Sequence, residues 1–318
     1  MLQLRLSTGS AVVLGLAQAQ MEASPTTLYA MVGESCQGAC RFCAQARDSD
    51  ADRKFLSRIA WPAYPLAEVT SALSRPHPLR RICLQTLLTP QLLPALLESV
   101  TQLHAVSPLP ISVCLNPIPR EGLEALKAAG VERVGVGLDC ATEALFEEIK
   151  PGFSWERTQR FLEDVAAVFG RSSIHLIVGL GESDAELLHK VQASHDSGHA
   201  VALFAFTPVR GARLPLSPPP IERYRALQLA RQLLITGQAR VEALRFEGGR
   251  LVGLEVEPAM MEAAFASGRA FRTSGCPDCN RPLYNERPGG AMYNFPRPLT
   301  EAEKRAAREE AVAYLRGA

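Results

Sequence analysis

Three cysteines fall close together near the amino terminus, in the stretch ESCQGACRFCAQ at residues 34–45. Cys36, Cys40 and Cys43 follow a C-x3-C-x2-C spacing. A 4Fe–4S cluster has four irons and favours four thiolate ligands, so three protein ligands leave one iron with an open position. Open positions are where metal sites do chemistry. The spacing predicts a reactive iron–sulfur cluster, with a zinc site or a structural cluster as the alternatives.

A second set of cysteines is spread along the chain. Cys276 and Cys279 have the spacing of paired thiolates on one metal or cluster, but two ligands are not enough to hold it. Cys83 and Cys114 lie on neighbouring predicted strands with the same inward parity, where a returning tail could meet them. We predict that these four residues hold an auxiliary cluster. The alternative is that the strand cysteines are small buried hydrophobic residues. Cys140 follows an inward residue and is predicted to face away.

Short apolar strands alternate with amphipathic helices along most of the chain, which indicates βα units and a parallel sheet. Six units fit the fold class α/β, a partial (β/α)6 TIM barrel with a C-terminal extension that carries the auxiliary cluster. Strands are predicted at Thr27–Val32, Arg80–Gln85, Ile111–Asn116, Val131–Asp139, Ser173–Leu180 and Val201–Thr207. Helices are predicted at Pro90–His104, Arg120–Ala129, Trp155–Phe169, Asp184–Ser197, Ile221–Gly237 and Thr300–Arg316.

The predicted strands have one apolar face and one polar or small face. In the second to fourth strands the polar face carries Cys83 and Gln85, then Cys114 and Asn116, then Asp139. A barrel filled by its own side chains would carry branched apolar residues inside. The pattern therefore predicts an open lumen that holds a polar ligand, with the cysteine loop after the first strand at its rim.

Composition and segment boundaries limit the class of protein. The 318 residues are 47% hydrophobic, and 34 Lys and Arg balance 33 Asp and Glu, so we expect no nucleic-acid partner. No apolar run approaches the roughly 20 residues of a membrane span, and clustered cysteines in so large a chain indicate a cytoplasmic protein. We divide the chain into an N-terminal extension (1–25), a barrel (26–215) and a C-terminal region (216–318). The extension is expected to be a strand or helix that covers the barrel floor.

The cysteine motif, together with the residues that follow in order, resembles the radical S-adenosylmethionine (SAM) superfamily. There the open iron binds SAM, and electron transfer cleaves it to a 5'-deoxyadenosyl radical. The resemblance assigns Phe42 to the adenine, Asp139 in GLD to the ribose hydroxyls, and Gly179, Gly181 and Glu182 in IVGLGES to the SAM pocket. The alternatives are a core position for Phe42, a helix N-cap for Asp139 and a tight turn for the glycines.

Within that superfamily the chain resembles biotin synthases and their relatives through CRFCAQ, GLD, IVGLGES and LRFEGGR. The last motif implies that Arg245 lies beside the auxiliary cluster. Biotin synthases carry cysteines on the strands that hold Cys83 and Cys114, but their third strand cysteine corresponds to Ser173 here, and they have no counterpart of the tail pair. His175, Asn280 and Arg281 are further candidates for contact with substrate or cluster.

The tail SGCPDCNRPLYNERPGGAMYNFPRPLT resembles that of biotin synthase-related proteins that include the two-component lipoyl synthases. We expect this tail to be an extended cap. The resemblance implies a sulfurtransferase with two 4Fe–4S clusters and SAM that inserts sulfur into a protein-bound octanoyl chain. Its implied partners are an octanoylated lipoyl carrier domain or octanoyl-lysine peptide, a companion radical SAM protein, and an electron donor of ferredoxin or flavodoxin type.

Two other functions are compatible with the residues alone. The chain could be biotin synthase-like, or another radical SAM enzyme whose second cluster only transfers electrons. It could also be a zinc-stabilised binding module that uses Cys36, Cys40, Cys43, Cys276 and Cys279.

Overall fold

The computed structural model describes residues 2–282 and 290–317. The strands are β1 (Gln3–Leu6), β2 (Thr27–Val32), β3 (Phe55–Leu56), β4 (Ile59–Ala60), β5 (Ala63–Pro65), β6 (Arg81–Thr86), β7 (Ile111–Leu115), β8 (Val131–Asp139), β9 (Ser172–Val178), β10 (His199–Ala205), β11 (Leu244–Glu247) and β12 (Arg250–Leu254). The α-helices are α1 (Thr8–Val13), α2 (Leu66–Leu73), α3 (Leu92–Val106), α4 (Arg120–Ala128), α5 (Glu143–Ile149), α6 (Trp155–Phe169), α7 (Asp184–Asp196), α8 (Ile221–Ile235), α9 (Pro258–Ser267) and α10 (Glu301–Arg316).

The central sheet has eight strands in the order β10-β9-β8-β7-β6-β2-β1-β5. Six neighbouring strands of this sheet run parallel, and each pairs with the strand of the next βα unit. These strands are β2, β6, β7, β8, β9 and β10. They are the six strands predicted from the sequence, with ends shifted by one or two residues. The prediction of an α/β fold built on a parallel sheet of six βα units is confirmed.

The N-terminal segment forms a strand and a helix as expected, but its strand lies at the edge of the sheet instead of over the barrel floor. It forms β1, which pairs antiparallel with β2 and with β5 and so extends the sheet at its edge. Leu4 and Leu6 of β1 are fully buried in the main core, and the Tyr29 amide in β2 donates a hydrogen bond to the Ser10 hydroxyl of α1 at 2.8 Å. Burial of its alternate apolar residues explains why the segment pairs with the sheet.

The two faces of the parallel strands separate as the sequence predicted. The apolar face, which includes Leu84, Val113 and Val136, is buried in the main hydrophobic core beneath the helices. The opposite face turns Gln85 and Asp139 toward an internal cavity. The strands therefore leave a lumen whose wall is polar or small, which positions the candidate site.

The C-terminal region shares a helix with the barrel. Leu227 and Leu234 of α8 pack in the main core, whereas Leu229 and Leu233 on the same helix pack in a second cluster with residues that include Phe271. The helix α10 packs against α8 and begins with a capping box in which Thr300 and Glu303 exchange hydrogen bonds. The predicted helix at the C-terminus is confirmed.

Two connections span the open side of the partial barrel between β10 and β2. Above the strands, the Gly211 carbonyl accepts from the Asp50 amide at 3.0 Å, and a Cβ at Gly211 would lie 2.5 Å from the Ala51 amide nitrogen. Below, the Leu203 amide donates to Ser274 at 3.1 Å and the tail continues to β2. The first contact requires glycine, because a side chain has no room there.

The tail around the second cysteine pair has no regular secondary structure between residues 274 and 282, as expected for an extended cap. Residues 283–289 of the predicted cap lie outside the described residues. Among the helices that the structure describes, none has both the length and the apolar character needed to cross a bilayer.

Candidate active site

The three-cysteine loop lies beyond the carboxyl end of β2, where barrel folds place their chemistry. Cys36, Cys40 and Cys43 are all partly exposed and all line a cavity of about 260 Å³. The Gly38 amide donates to the Cys36 sulfur at 3.3 Å, and the Gln45 amide donates to the Cys43 sulfur at 3.4 Å. Such donors stabilise thiolates, so the loop is suited to hold a cluster whose ligands are ionised.

Burial disfavours the thiolate form of two thiols of this loop in the cluster-free chain. Burial raises the pKa of Cys43 to about 11, and it raises the pKa of Cys40 further, although the neighbouring Lys150 lowers it. Cluster ligation requires thiolates, so assembly must release these protons.

Asp139 and Lys150 form an ion pair on the cavity wall. The Lys150 ammonium lies 2.9 Å from Asp139 Oδ2 and is almost fully buried, and it also donates to the Gly137 carbonyl. Burial lowers the pKa of Lys150, but attraction to Asp139 and Cys40 outweighs burial and raises it overall. The ammonium also lies 5.2 Å from the centre of the Phe153 ring, a distance at which an aromatic face attracts a cation.

The cap alternative for Asp139 does not hold. The N-cap of α5 is Thr142, whose hydroxyl accepts from the Leu145 amide at 3.3 Å. Asp139 has a φ of 66°, a left-handed conformation uncommon outside glycine. In this conformation the Asp139 side chain lines the cavity and pairs with Lys150.

We expect Asp139→Ala to weaken SAM binding by about 1.5 to 3 kcal/mol, the amount for losing hydrogen bonds to a charged group. Titration calorimetry of the cluster-loaded protein with SAM measures this. Lys150→Met removes the partner of Asp139 but keeps the carboxylate, so it should weaken SAM binding less than Asp139→Ala does.

The matched control is Thr142→Ala, which removes the α5 cap and is expected to cost about 1 kcal/mol of stability while leaving SAM affinity unchanged. Equal SAM affinity in Asp139→Ala and the wild type would contradict the assignment of Asp139 to SAM.

The remaining residues assigned to SAM divide between wall and loop. Phe42 lines the cavity and packs on the core. Gly179 and Gly181 lie in the turn after β9 with φ values of 100° and 119°. Neither glycine lines the cavity. The Glu182 carboxylate accepts from the amides of Gly179 and Leu180 at 2.8 and 2.9 Å. These two hydrogen bonds stabilise the turn.

The second set of cysteines meets deeper in the lumen. The Cys279 sulfur lies 3.4 Å from the Tyr29 hydroxyl on β2, and the Cys276 sulfur lies 4.0 Å from the Ser173 hydroxyl on β9. Burial raises the pKa of Cys83, and Cys276, Cys279 and Cys114 raise it further. The tail therefore brings its two cysteines to the strand cysteines, inside the barrel.

Cys114 connects the two halves of the lumen. It lines the cavity with Cys36, Cys40 and Cys43, and Arg281 and Cys276 of the tail lie close enough to affect its pKa. Burial raises the pKa of Cys114 to about 11, with Arg281 lowering it. Its sulfur lies 3.9 Å from His175 Nδ1.

Arg281 and His175 occupy the space between the two sets of cysteines. The Arg281 guanidinium lies 4.8 Å from the Phe204 ring centre and 3.4 Å from Gln85 Oε1, so it crosses the lumen. Burial lowers the pKa of His175 to about 4, and Arg281 lowers it as well. The imidazole is therefore neutral at physiological pH and faces a fixed positive charge.

Three residues lie apart from the lumen. Arg245 is exposed on the β11–β12 hairpin beside Gly253, so the structure does not bring it to the cysteines as the motif implied. Asn280 bonds to the Thr26 amide at 3.0 Å and to the Ser24 carbonyl at 2.9 Å, which fastens the tail below β2. Cys140 is buried in the apolar core, as predicted.

Sequence reasoning missed several residues of the site, above all Lys150. It stands at the end of a short helix in a run of acidic residues, a context typical of a solvated surface. Tyr29 and Gln85 were also missed as partners of cysteine, with Gln85 Nε2 donating to the Cys83 sulfur at 3.1 Å. The inward parity of their strands was the available signal for these two.

The fold and the site together define a barrel enzyme whose rim carries three cysteines for a cluster with an open iron. The sequence profile of the radical SAM superfamily matches residues 31–192, just over half of the chain. The chain belongs to the radical SAM superfamily. Enzymes of this superfamily use a 4Fe–4S cluster and SAM, and the three partly exposed thiols with their amide donors fit that cluster.

Solved structures of other superfamily members share the fold at low sequence identity. Methylornithine synthase is 12% identical with a TM-score of 0.53, over 64% of this chain and 59% of its own. The FeFe-hydrogenase maturase HydG from Carboxydothermus hydrogenoformans is 16% identical with a TM-score of 0.53, over 66% of this chain and 51% of its own. The chain thus spans less than two thirds of either protein. No curated protein sequence matches the chain.

Proposed function

We propose that the chain is a radical SAM sulfurtransferase that inserts sulfur into an octanoyl chain on a partner protein, as a component of a two-component lipoyl synthase. The observation that carries this proposal is the position of the two sets of cysteines. The three rim cysteines and Cys114 of the second set line one cavity, and the tail cysteines contact Ser173 of β9 and Tyr29 of β2 in the same barrel. A substrate carbon in that cavity would have the radical source on one side and a sulfur source on the other.

The contact between Cys276 and Ser173 supports the rearranged auxiliary site. Biotin synthases have a third strand cysteine where this chain has Ser173, and the Cys276 sulfur lies 4.0 Å from the Ser173 hydroxyl. The tail thus supplies a thiol beside the position that lacks one on the strand. Cys83, Cys114, Cys276 and Cys279 become the ligands of an auxiliary 4Fe–4S cluster.

The family of the chain favours a cluster over a zinc ion at the rim. The radical SAM profile matches residues 31–192, which include Cys36, Cys40 and Cys43, and members of this superfamily use a 4Fe–4S cluster. The family assignment therefore weighs against the zinc-stabilised binding module.

The wall of the cavity suits an alkyl chain that approaches the rim. Met31, Phe153, Ile177 and Phe204 supply apolar surface, while Asp139 and the paired lysine supply the polar contacts at the rim. When bound, SAM and its cluster supply a radical strong enough to remove hydrogen from an unactivated carbon, which no side chain can do. The protein's own residues orient the chain, exclude water and keep His175 uncharged.

The proposed partners follow from the substrate. An octanoyl-lysine arm on a carrier domain would enter from the rim, a ferredoxin or flavodoxin would deliver electrons to the cluster, and a companion radical SAM protein would make the second sulfur insertion.

The test is anaerobic incubation of the cluster-loaded protein with SAM, dithionite and an octanoyl-lysine peptide, followed by mass spectrometry. We expect a peptide that has gained one sulfur, together with 5'-deoxyadenosine. Formation of 5'-deoxyadenosine with the peptide unchanged, and with the auxiliary cluster intact after turnover, would indicate a cluster that only transfers electrons.

A further inference from the structure

Two arginines are buried in the lower half of the lumen, near the amino ends of the strands. Arg81 on β6 and Arg133 on β8 are 3% and 5% exposed. Arg133 pairs in register with Ser112 of β7, and the Ser112 hydroxyl accepts from Arg81 at 2.6 Å. Residues paired across neighbouring strands share a face of the sheet, so both arginines lie on the lumen side with Cys83 and Cys114.

The two guanidinium groups differ in their partners. Arg81 is paired with Glu132 at 2.5 Å and donates to the Pro277 carbonyl at 3.1 Å. Arg133 makes no hydrogen bond or ion pair with any residue that the structure describes, and its Nε atom is buried. Burial of an unpaired cation is costly unless a negative charge lies nearby. The folded chain therefore leaves one positive charge in the barrel floor without a counter-charge.

The tail cysteines are the groups near Arg81 that could become negative. Pro277 stands between Cys276 and Cys279, so the Arg81 contact reaches the loop that carries both thiols. Next to Arg133 on the same face of β8 is Gly135, where a Cβ would lie 2.9 Å from the Ser173 hydroxyl that contacts Cys276. A cluster bound by the cysteines of this region would supply the negative charge that the two arginines face.

We propose that Arg133, supported by Arg81, is the counter-charge of the auxiliary cluster, which places a buried positive charge beneath a group of net negative charge. This inference rests on the proposed function, since it requires the auxiliary cluster. A cluster with four thiolate ligands is anionic, and reduction adds a further negative charge. A nearby guanidinium favours the reduced form and so raises the reduction potential, and it also favours retention of the cluster.

The test compares Arg133→Met, Arg133→Lys and the matched control Arg171→Met in cluster-loaded protein. Arg171 is exposed just before β9, so its change removes a positive charge without altering the floor. Redox titration followed by electron paramagnetic resonance measures the auxiliary potential. We expect Arg133→Met to shift it to a more negative value and to lose iron several-fold faster to a chelator. Arg133→Lys and Arg171→Met should both stay near the wild type.

Cluster-free protein provides the second measurement. Because Arg133 is unpaired there, Arg133→Met should be no less stable than the wild type to urea. An auxiliary potential in Arg133→Met equal to that of Arg171→Met, or an equal loss of stability with and without the cluster, would overturn the role of Arg133 alone. A wild type that binds only the one cluster at the rim would overturn both this inference and the proposed function.

Discussion

Replacement of Cys36, Cys40 or Cys43 by alanine is expected to abolish formation of 5'-deoxyadenosine while the fold is retained. Each thiol lies on a loop at the rim, whereas the main core lies between the sheet and the helices. Loss of one of three ligands leaves the cluster with too few thiolates to hold it. Chromatography after anaerobic incubation with SAM and dithionite measures the product, and circular dichroism measures the fold.

The matched control for these variants is Cys140→Ala. This thiol is buried in the apolar core, and burial raises its pKa to about 12, so it stays protonated. Its replacement should leave SAM cleavage intact, with a Tm within about 4 °C of the wild type, as for a loss of about 1 kcal/mol. Retained SAM cleavage in any of the three loop variants would refute the assignment of the cluster to this loop.

The second large effect is expected for the double variant Cys276→Ala, Cys279→Ala. Iron content should fall from about eight to about four per chain, by the ligand count of two cubane clusters. SAM cleavage should survive, because the rim loop is untouched. Sulfur insertion should be lost, since the substrate radical would form with no sulfide in reach.

The strand cysteines extend this comparison. Cys83→Ala and Cys114→Ala should show the same separation of SAM cleavage from sulfur insertion if both residues complete the auxiliary site. Cys114 also lines the upper cavity, so its variant is the more informative of the two. Thiolated product from the double variant at 276 and 279 would mean that the tail cysteines are structural and that sulfur comes from elsewhere.

The parallel strands could be predicted from the sequence because alternation of polar and apolar residues is a local signal. The same parity placed Cys83, Cys114 and Asp139 on the lumen side, and the structure bears this out. The N-terminal segment could not be assigned in the same way. Its pairing with β2 depends on which sheet edge is free, and that is a property of the assembled fold.

Side-chain partners were less predictable than strands. The sequence around Lys150 is typical of a surface residue, but the fold brings its ammonium 2.9 Å from Asp139. Arg133 has no sequence feature that distinguishes it from an exposed strand residue, but the fold buries it. Arg245 shows the opposite case, because a motif shared with a related family does not fix where its hairpin packs. Contacts between residues far apart in the chain decide all three positions.

The most direct test of sulfur insertion uses protein whose clusters are rebuilt with a heavy isotope of sulfide. A single turnover with unlabelled octanoyl-lysine peptide, SAM and dithionite is followed by mass spectrometry of the peptide. We expect a product that carries the heavy sulfur from the protein, in the wild type and in Cys140→Ala, and no such product from the variant at Cys276 and Cys279. An unlabelled thiolated product, or a labelled one from that variant, would show that these cysteines do not hold the sulfur donor.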